Sequence, residues 1–208
     1  MARNENWVDS FIKNLPSFKG DALDIGANHG IYTNLLASKF QTVYAFEPHP
    51  DNVSKIKQNV SQPNVVIEQK VVGVADGTST LFVCRANDGG HTIMEGLAES
   101  AKWGHSKDNY IEVESVTLDT FCKDKSIKFI KCDIEGGEYE IFYSGEEMLR
   151  NSSPLIVLET HQVSDFESDQ IKRDKLMEFF KGLGYYVLNT NGEEVSSFTF
   201  DTHYLLGK

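Results

Sequence analysis

The chain has 208 residues, and its length, composition and charge exclude several classes of protein. It carries 20 basic and 31 acidic side chains, a formal net charge of −11, with 40% hydrophobic residues, as is ordinary for a soluble globular protein. No window reaches the roughly 18 apolar residues of a membrane span, the first residues lack the apolar core of a signal peptide, and the acidic excess disfavours a polyanionic partner. We therefore expect one cytoplasmic domain with no nucleic-acid or membrane partner, and we leave its oligomeric state open.

Hydrophobic periodicity alternates between helix-like and strand-like spacing along the chain. The first half predicts a helix over about 4–15, a strand over 22–25, a helix over 30–38, a strand over 42–46, a helix opened by residues 49–51 and a strand over 65–74. The second half predicts a strand over 127–132, a helix over 138–150, a strand over 155–158, a helix over 169–183 and strands over 185–188 and 198–206. This alternation is typical of a parallel sheet with crossover helices on both faces.

Two segments depart from simple alternation. Residues 79–126 contain two strand-like runs, 80–84 and 111–118, on either side of a polar, glycine-rich stretch at 88–91. We interpret this segment as an insertion near an acceptor site, because loops added to a rigid sheet often carry specificity. The last two strands are separated by too few residues for a crossover of about a dozen residues, so they must pair antiparallel and end the sheet in a reversed strand.

The first strand-turn-helix segment has the features of a cofactor site. Residues 24–30 read Asp-Ile-Gly-Ala-Asn-His-Gly, and the glycines Gly26 and Gly30 let a ligand approach the backbone. Glu47 ends the second predicted strand, 47 − 26 = 21 residues after Gly26. A carboxylate at about that interval can accept hydrogen bonds from both ribose hydroxyls. The pattern therefore predicts a cofactor that contains adenosine.

Three features favour S-adenosylmethionine over a nicotinamide cofactor. The carboxylate of Asp24 would repel a pyrophosphate but suits the ammonium group of an amino acid. The glycine spacing of the dinucleotide motif is incomplete, with Asn28 at the middle glycine and Thr33 near the place of the third. The reversed last strand also differs from the mostly parallel dinucleotide fold. A nucleotide-dependent oxidoreductase and a non-catalytic S-adenosylmethionine-binding module remain the alternatives.

Polar side chains at the ends of the fourth and fifth strands of the alternating pattern supply candidate catalytic groups. Asp133 and Glu135 follow one strand, and Glu159 and His161 follow the next. A carboxylate or imidazole there could remove the proton of an acceptor hydroxyl. Asp133, Glu159 and His161 could instead hold a cation, for which a histidine would suit a transition metal better than magnesium. Our prediction is the general base, with no metal ligand assigned.

Neighbouring side chains receive less specific expectations. We expect Glu138 and Glu140 to be solvated acids in a first helical turn, and the lysines over 123–131 to form a solvated face. His29 is expected to face solvent at a helix start. His91, in the glycine-rich stretch, is expected to meet the acceptor.

With these residues in hand, the chain resembles the FkbM-type methyltransferases over nearly its whole length. The matching segments are 24–33, 45–50, 72–77, 116–119 and 129–138. The resemblance implies the class I methyltransferase fold, a Rossmann-like, mostly parallel seven-stranded sheet with an antiparallel C-terminal hairpin strand. It also implies S-adenosylmethionine as cofactor and methylation of hydroxyl oxygens in sugars and other small molecules.

The resemblance also carries site residues. It implies that residues of the segment 24–30, together with Glu47 and Asp133, contact the cofactor, and that the loop 72–74 lies against the adenine. The predicted cofactor-binding set is Asp24, Gly26, Asn28, Gly30, Thr33, Glu47, Val72 and Asp133, and the predicted catalytic set is Asp133, Glu135 and His161. Cys132 and the stretch 90–92 depart from the family pattern, and the second departure leaves the acceptor open.

Overall fold

Strands and helices alternate along the described residues, 5–86, 88–99, 106–163 and 166–208, of this computed structural model. The strands are β1 (Asp21–Ile25), β2 (Thr42–Phe46), β3 (Val65–Glu68), β4 (Lys70–Val72), β5 (Gly77–Phe82), β6 (Tyr110–Val116), β7 (Ile127–Cys132), β8 (Leu155–Thr160), β9 (Tyr186–Leu188) and β10 (Thr202–Gly207). The helices are α1 (Glu5–Asn14), α2 (Ile31–Ala37), α3 (Pro50–Asn59), α4 (Glu95–Glu99), α5 (Leu118–Cys122), α6 (Glu138–Ile141), α7 (Glu146–Ser152) and α8 (Phe166–Gly182).

The main sheet has seven strands in the order β3-β2-β1-β7-β8-β10-β9. The pairs from β3 to β8 are parallel, and β10 is antiparallel to both β8 and β9. This confirms the predicted mostly parallel sheet with a reversed C-terminal strand. That strand lies between β8 and β9, so β9 forms this edge of the sheet and β3 forms the other.

The last strand begins at Thr202, four residues later than predicted. Phe198 is buried and packs edge-on against the ring of Tyr204, and the backbone N–H of Thr199 donates to the Tyr204 hydroxyl at 2.6 Å. Asp201 then has φ 46°, a left-handed conformation that interrupts a strand. Apolar content alone extended the predicted strand into this turn.

The central strands are buried on both faces, as expected for a parallel sheet covered by helices. On one face Ala22 of β1 packs in a cluster with Val8 and Ile12 of α1. On the other face Ile25 packs in a cluster with Phe180 of α8. The predicted helices on both faces are therefore confirmed. Within the described ranges, no helix is at once long and apolar enough to cross a membrane.

A second, three-stranded sheet with the order β4-β6-β5 was not predicted. The run 65–74, read as one strand, splits between the two sheets: β3 pairs with β2, and β4 pairs in parallel with β6. Val72 of β4 and Val116 of β6 pack against the core of the main sheet. This sheet therefore places Val72 beside the carboxyl ends of the main strands.

The predicted helix over 138–150 is also divided. It consists of α6, a 3-10 turn over Phe142–Gly145 and α7. Gly145 has φ −125° and ψ 22°, outside the helical range, and a Cβ there would lie 2.7 Å from the Cβ of Leu118. The close approach of α5 at Gly145 thus interrupts a helix that periodicity alone would continue.

Phe180 provides a test of the core between α8 and the sheet. It is fully buried and contacts the rings of Phe142 and Tyr185. We expect Phe180→Ala to lower the free energy of unfolding by about 3–5 kcal/mol, because it leaves a cavity. The exposed Glu178 of the same helix is the control, and Glu178→Ala should change stability by less than about 0.5 kcal/mol. Urea denaturation of both variants makes the measurement, and equal losses would contradict this packing.

Candidate active site at the carboxyl ends of the strands

A cavity of about 270 Å³ lies where β1, β2 and β7 end. Parallel strands bring their carboxyl ends to one edge of a sheet, so residues distant in sequence meet there. Of the predicted site residues, the cavity is lined by Gly26, Asn28, Glu47, Val72, Asp133 and Glu135. Asp24, Gly30, Thr33 and His161 are not among its lining residues. The sequence therefore predicted where the cavity lies. It did not show which residues of the predicted site line the cavity.

The turn after β1 is packed directly against the end of β7. Gly26 has φ 81°, and a Cβ there would lie 1.9 Å from the backbone oxygen of Asp133. The backbone N–H groups of Gly26 and Ala27 donate to the carbonyl of Phe46 at 3.1 and 2.9 Å. Asn28 also has a left-handed backbone, and its Oδ1 is buried without a hydrogen-bond partner in the described part of the chain. The turn thus offers a ligand a well-defined backbone surface and one unused acceptor.

Glu47 is buried and held by backbone donors. Its carboxylate accepts from the N–H groups of Asn28 and His49, each at 2.9 Å, and lies 3.5 Å from the amide nitrogen of Asn52. Burial raises the pKa of Glu47 to about 7, although these hydrogen bonds favour the ionised form. A carboxylate offers about four acceptor sites, so capacity remains for a ligand in the cavity.

Lys131 is buried at the floor of the cavity, which corrects the expectation of a solvated face. Its Nζ donates to the carbonyl of Gly26 at 3.0 Å and lies 3.4 Å from Asp133 Oδ2 and 3.7 Å from Asp24 Oδ1. Burial alone would lower the pKa of Lys131, but the surrounding carboxylates raise it above its usual value. Lys131 therefore stays positively charged and neutralises part of the acidic floor.

Asp24 lies behind that floor and is fully buried. Its Oδ2 accepts a hydrogen bond from the Thr33 hydroxyl at 2.6 Å, which ties the end of β1 to α2. Burial raises the pKa of Asp24, and Lys131 opposes that effect. Asp24 and Thr33 thus support the turn around Gly26 from below. Direct contact of Asp24 with a cofactor ammonium stays a prediction.

His161 lies among four carboxylates. Its Nε2 lies 3.6 Å from Asp133 Oδ1, 3.6 Å from Glu159 Oε1 and 3.9 Å from Glu135 Oε2. Its Nδ1 lies 3.2 Å from Glu138 Oε1. Burial alone would lower the pKa of His161, but these carboxylates raise it to about 10. The carboxylates therefore stabilise the protonated imidazole, and a role of His161 as general base stays a prediction.

Glu138 was expected to be a solvated acid and is instead completely buried. It accepts from the backbone N–H groups of Gly136 at 2.8 Å and His161 at 2.7 Å, besides contacting the His161 ring. It therefore fixes both the loop after β7 and the histidine after β8. Glu140, two residues on, is exposed as expected.

The glycine-rich stretch lies next to Glu47, and His91 lines the cavity. The ring of His91 packs on that of His49 with centroids 4.3 Å apart, and Asn52 donates to the carbonyl of Asp88 at 2.8 Å. His29, expected to face solvent, is half-buried against Lys55 in the same region. His91 thus lines the cavity near Glu47, and its contact with an acceptor stays a prediction.

Comparison with protein families gives one assignment for most of the chain. Residues 24–187 match the model of the methyltransferase FkbM domain. This match confirms the resemblance drawn from the motifs. A comparison with curated proteins gives no match.

Solved structures support the same fold. The chain is similar to a methyltransferase FkbM from Methylobacillus flagellatus KT, with 16% identity, a TM-score of 0.57 and 92% of this chain covered. The chain spans 45% of the length of that protein. An rRNA methylase from Streptococcus thermophilus has 13% identity and a TM-score of 0.51, with 99% of this chain and 95% of that chain covered. SMU.1697c from Streptococcus mutans, solved in complex with S-adenosylhomocysteine, has 12% identity and a TM-score of 0.50, with 100% and 99% covered. The fold is that of class I methyltransferases.

The close contact at Gly26 gives a test of the site's construction. We expect Gly26→Ala to lower the free energy of unfolding by about 2 kcal/mol or more, because the new Cβ meets a backbone oxygen at a positive φ. Gly96, in α4, has no positive φ and would have open space around an added Cβ, so Gly96→Ala should leave stability unchanged or raise it. Equal stability of the two variants in urea denaturation would refute the contact.

Proposed function

Because this chain belongs to the family of FkbM methyltransferase domains, we propose that it transfers a methyl group from S-adenosylmethionine to a hydroxyl oxygen of a small molecule, sugar or glycan. The observation that carries this proposal is the cavity with Glu47 on one side and Asp133 and Glu135 on the other. The first side fits a ribose, and the second fits an acceptor whose proton must be removed.

The residues present fit the adenosine part of this cofactor. Glu47 presents a buried carboxylate to the cavity, where ribose hydroxyls can donate to it. Val71, Val72 and Leu81, from the second sheet, give the cavity an apolar wall suited to a flat base. Asn28 Oδ1, which has no partner among the described residues, supplies a further acceptor beside the turn.

The acidic floor supports a positively charged ligand. Asp133 and Glu135 line the cavity, and Asp24 lies fully buried behind it. Lys131 offsets only part of this negative charge. A sulfonium cofactor gains Coulomb energy in such a site, whereas a pyrophosphate would be repelled. This balance favours the methyltransferase over a nucleotide-dependent oxidoreductase.

The chemistry needs alignment and the removal of one proton. S-adenosylmethionine, when bound, supplies a methyl group on a sulfonium, whose carbon–sulfur bond breaks with its electron pair going to sulfur. The hydroxyl oxygen of the acceptor forms the new bond to the methyl carbon. Its proton passes to one of the two carboxylates that line the cavity, Asp133 or Glu135. The products are a methyl ether and S-adenosylhomocysteine.

Ligand-induced stabilisation tests the cofactor. S-adenosylhomocysteine should raise the melting temperature while NAD does not, because a ligand that binds only the native state stabilises it by mass action. At a concentration of about 100 times Kd the gain is about 2.7 kcal/mol. An equal shift with NAD would favour the oxidoreductase instead.

Transfer of the methyl group separates an enzyme from a binding module. The protein is incubated with methyl-labelled S-adenosylmethionine and a panel of polyhydroxylated small molecules and glycans. Label should appear in at least one acceptor as an alkali-stable ether. Cofactor binding without transfer to any acceptor would support the non-catalytic module.

The raised pKa of Glu47 predicts how cofactor affinity depends on pH. Ribose hydroxyls donate more strongly to the ionised carboxylate, and with a pKa of about 7 this form becomes dominant between pH 6 and pH 8. Affinity for S-adenosylhomocysteine should therefore rise over that interval. Glu47→Gln should remove this component of the rise and weaken binding at pH 8 by about 1–3 kcal/mol. Calorimetry at pH 6, 7 and 8 measures both effects, and an unchanged pH profile in the variant would show that the ribose is held elsewhere.

A further inference from the structure

Three potential metal ligands converge beside the cavity. One ligand atom each from Asp133, Glu159 and His161 lies within 4.8 Å of the other two. Glu159 and His161 are 2% and 3% exposed, whereas Asp133 also lines the cavity. The cluster is therefore closed on the side of the protein core and accessible from the cavity.

The histidine in this cluster has a buried ring nitrogen that makes no hydrogen bond to any described residue. His161 Nε2 has no hydrogen-bond partner in the described part of the chain. On the opposite side of the ring, Nδ1 lies 3.2 Å from the carboxylate of Glu138, which also accepts from the His161 backbone N–H. Since a carboxylate only accepts hydrogen bonds, Nδ1 carries the proton and Nε2 is directed at the cluster. A carboxylate behind a histidine is the usual support of a metal-binding imidazole.

The distances within the cluster fit ligands around one ion better than hydrogen bonds. Nε2 lies 3.6 Å from Asp133 Oδ1 and 3.6 Å from Glu159 Oε1, beyond the usual N–H···O range of about 2.7–3.2 Å. Two ligand atoms that each lie about 2.1 Å from a tetrahedral ion are about 3.4 Å apart. The two separations from Nε2 are close to that value.

We propose that Asp133, Glu159 and His161 bind a divalent first-row transition-metal cation, for which Mn²⁺ is a suitable probe. Two carboxylate oxygens balance the charge of the ion, and the imidazole nitrogen favours a transition metal over Mg²⁺. Glu159 is supported in turn by His203, whose Nε2 lies 3.1 Å from its second oxygen. Supporting groups behind both Glu159 and His161 thus hold the ligands in place.

The consequence for catalysis rests on the proposed function, whereas binding of the ion does not. An ion held at Asp133 is close enough to the cavity to bind an acceptor hydroxyl oxygen and lower its pKa. The proton then goes to Glu135, since Asp133 is occupied as a ligand, and the methyl transfer proceeds as written above. The alternative occupant of the cluster is a proton on His161 Nε2, which the same carboxylates also stabilise.

Mn²⁺ binding to the full chain tests the site. Electron paramagnetic resonance of free Mn²⁺ should show saturable uptake of one ion per chain. His161→Gln and Glu159→Gln should each weaken the affinity by about 10–100-fold or more, the effect of disturbing a metal's ligand environment. The exposed Glu140, two residues after Glu138, supplies the matched control, and Glu140→Gln should bind Mn²⁺ as the wild type does. Melting temperatures and S-adenosylhomocysteine affinities of the variants verify that they are folded.

Crystals of the wild-type protein soaked in Mn²⁺ provide a measurement that needs no variant. An anomalous peak between Asp133, Glu159 and His161 is the expected result. No saturable binding, unchanged affinity in His161→Gln, or a peak elsewhere would overturn the metal site. Mn²⁺ binding at the cluster without methyl transfer would uphold the site and refute the proposed function. Methyl transfer that persists after a chelator has removed the ion would uphold the proposed function and refute the catalytic role of the ion.

Discussion

The site depends on the close backbone contact between Gly26 and Asp133. Strands β1 and β7 are parallel neighbours with Ile25 opposite Cys132, so the next residue of each strand reaches the cavity at the same level. The N–H of Asp133 donates to the carbonyl of Ile25 at 3.1 Å, and no Cβ fits at position 26. Lys131 donates to the Gly26 carbonyl from the same strand. The glycine therefore sets the distance between the proposed cofactor turn and the acidic groups proposed to act on the acceptor.

Charge balance is the second constraint on this edge of the sheet. Buried carboxylates are costly unless they are paired or hydrogen-bonded. Asp24 and Asp133 share Lys131, while Glu138 and Glu159 each contact the ring of His161. Acidic groups still outnumber cationic ones around the cavity, so the site favours positively charged ligands. Both the sulfonium of the proposed cofactor and a divalent cation meet that condition.

The sequence predicted the features that local patterns determine, such as strand bounds. It missed the features that depend on pairing between segments distant in sequence. The bounds of β2 and β7 match the predicted strands, because short apolar runs with polar ends define them. The second sheet was missed because periodicity does not show that β4 pairs with β6. Lys131 and Glu138 were assigned to solvent from their type, although a lysine inside the apolar run of β7 was a signal of burial with a partner. Lys131 contacts Asp24 of β1, and Glu138 contacts His161 after β8, so only the fold reveals these partners.

The segment 88–92 joins the two sides of the cavity. At one end, the carbonyl of Asp88 accepts from Asn52, beside Glu47. At the other end, the Thr92 hydroxyl donates to the carbonyl of Glu135 at 2.8 Å, and the Thr92 backbone pairs with that of Phe82. Five consecutive residues therefore contact both the proposed ribose site and the loop that carries Glu135, one of the two carboxylates proposed to receive the acceptor proton. We therefore expect a substitution that removes either anchor to change the geometry on both sides of the cavity.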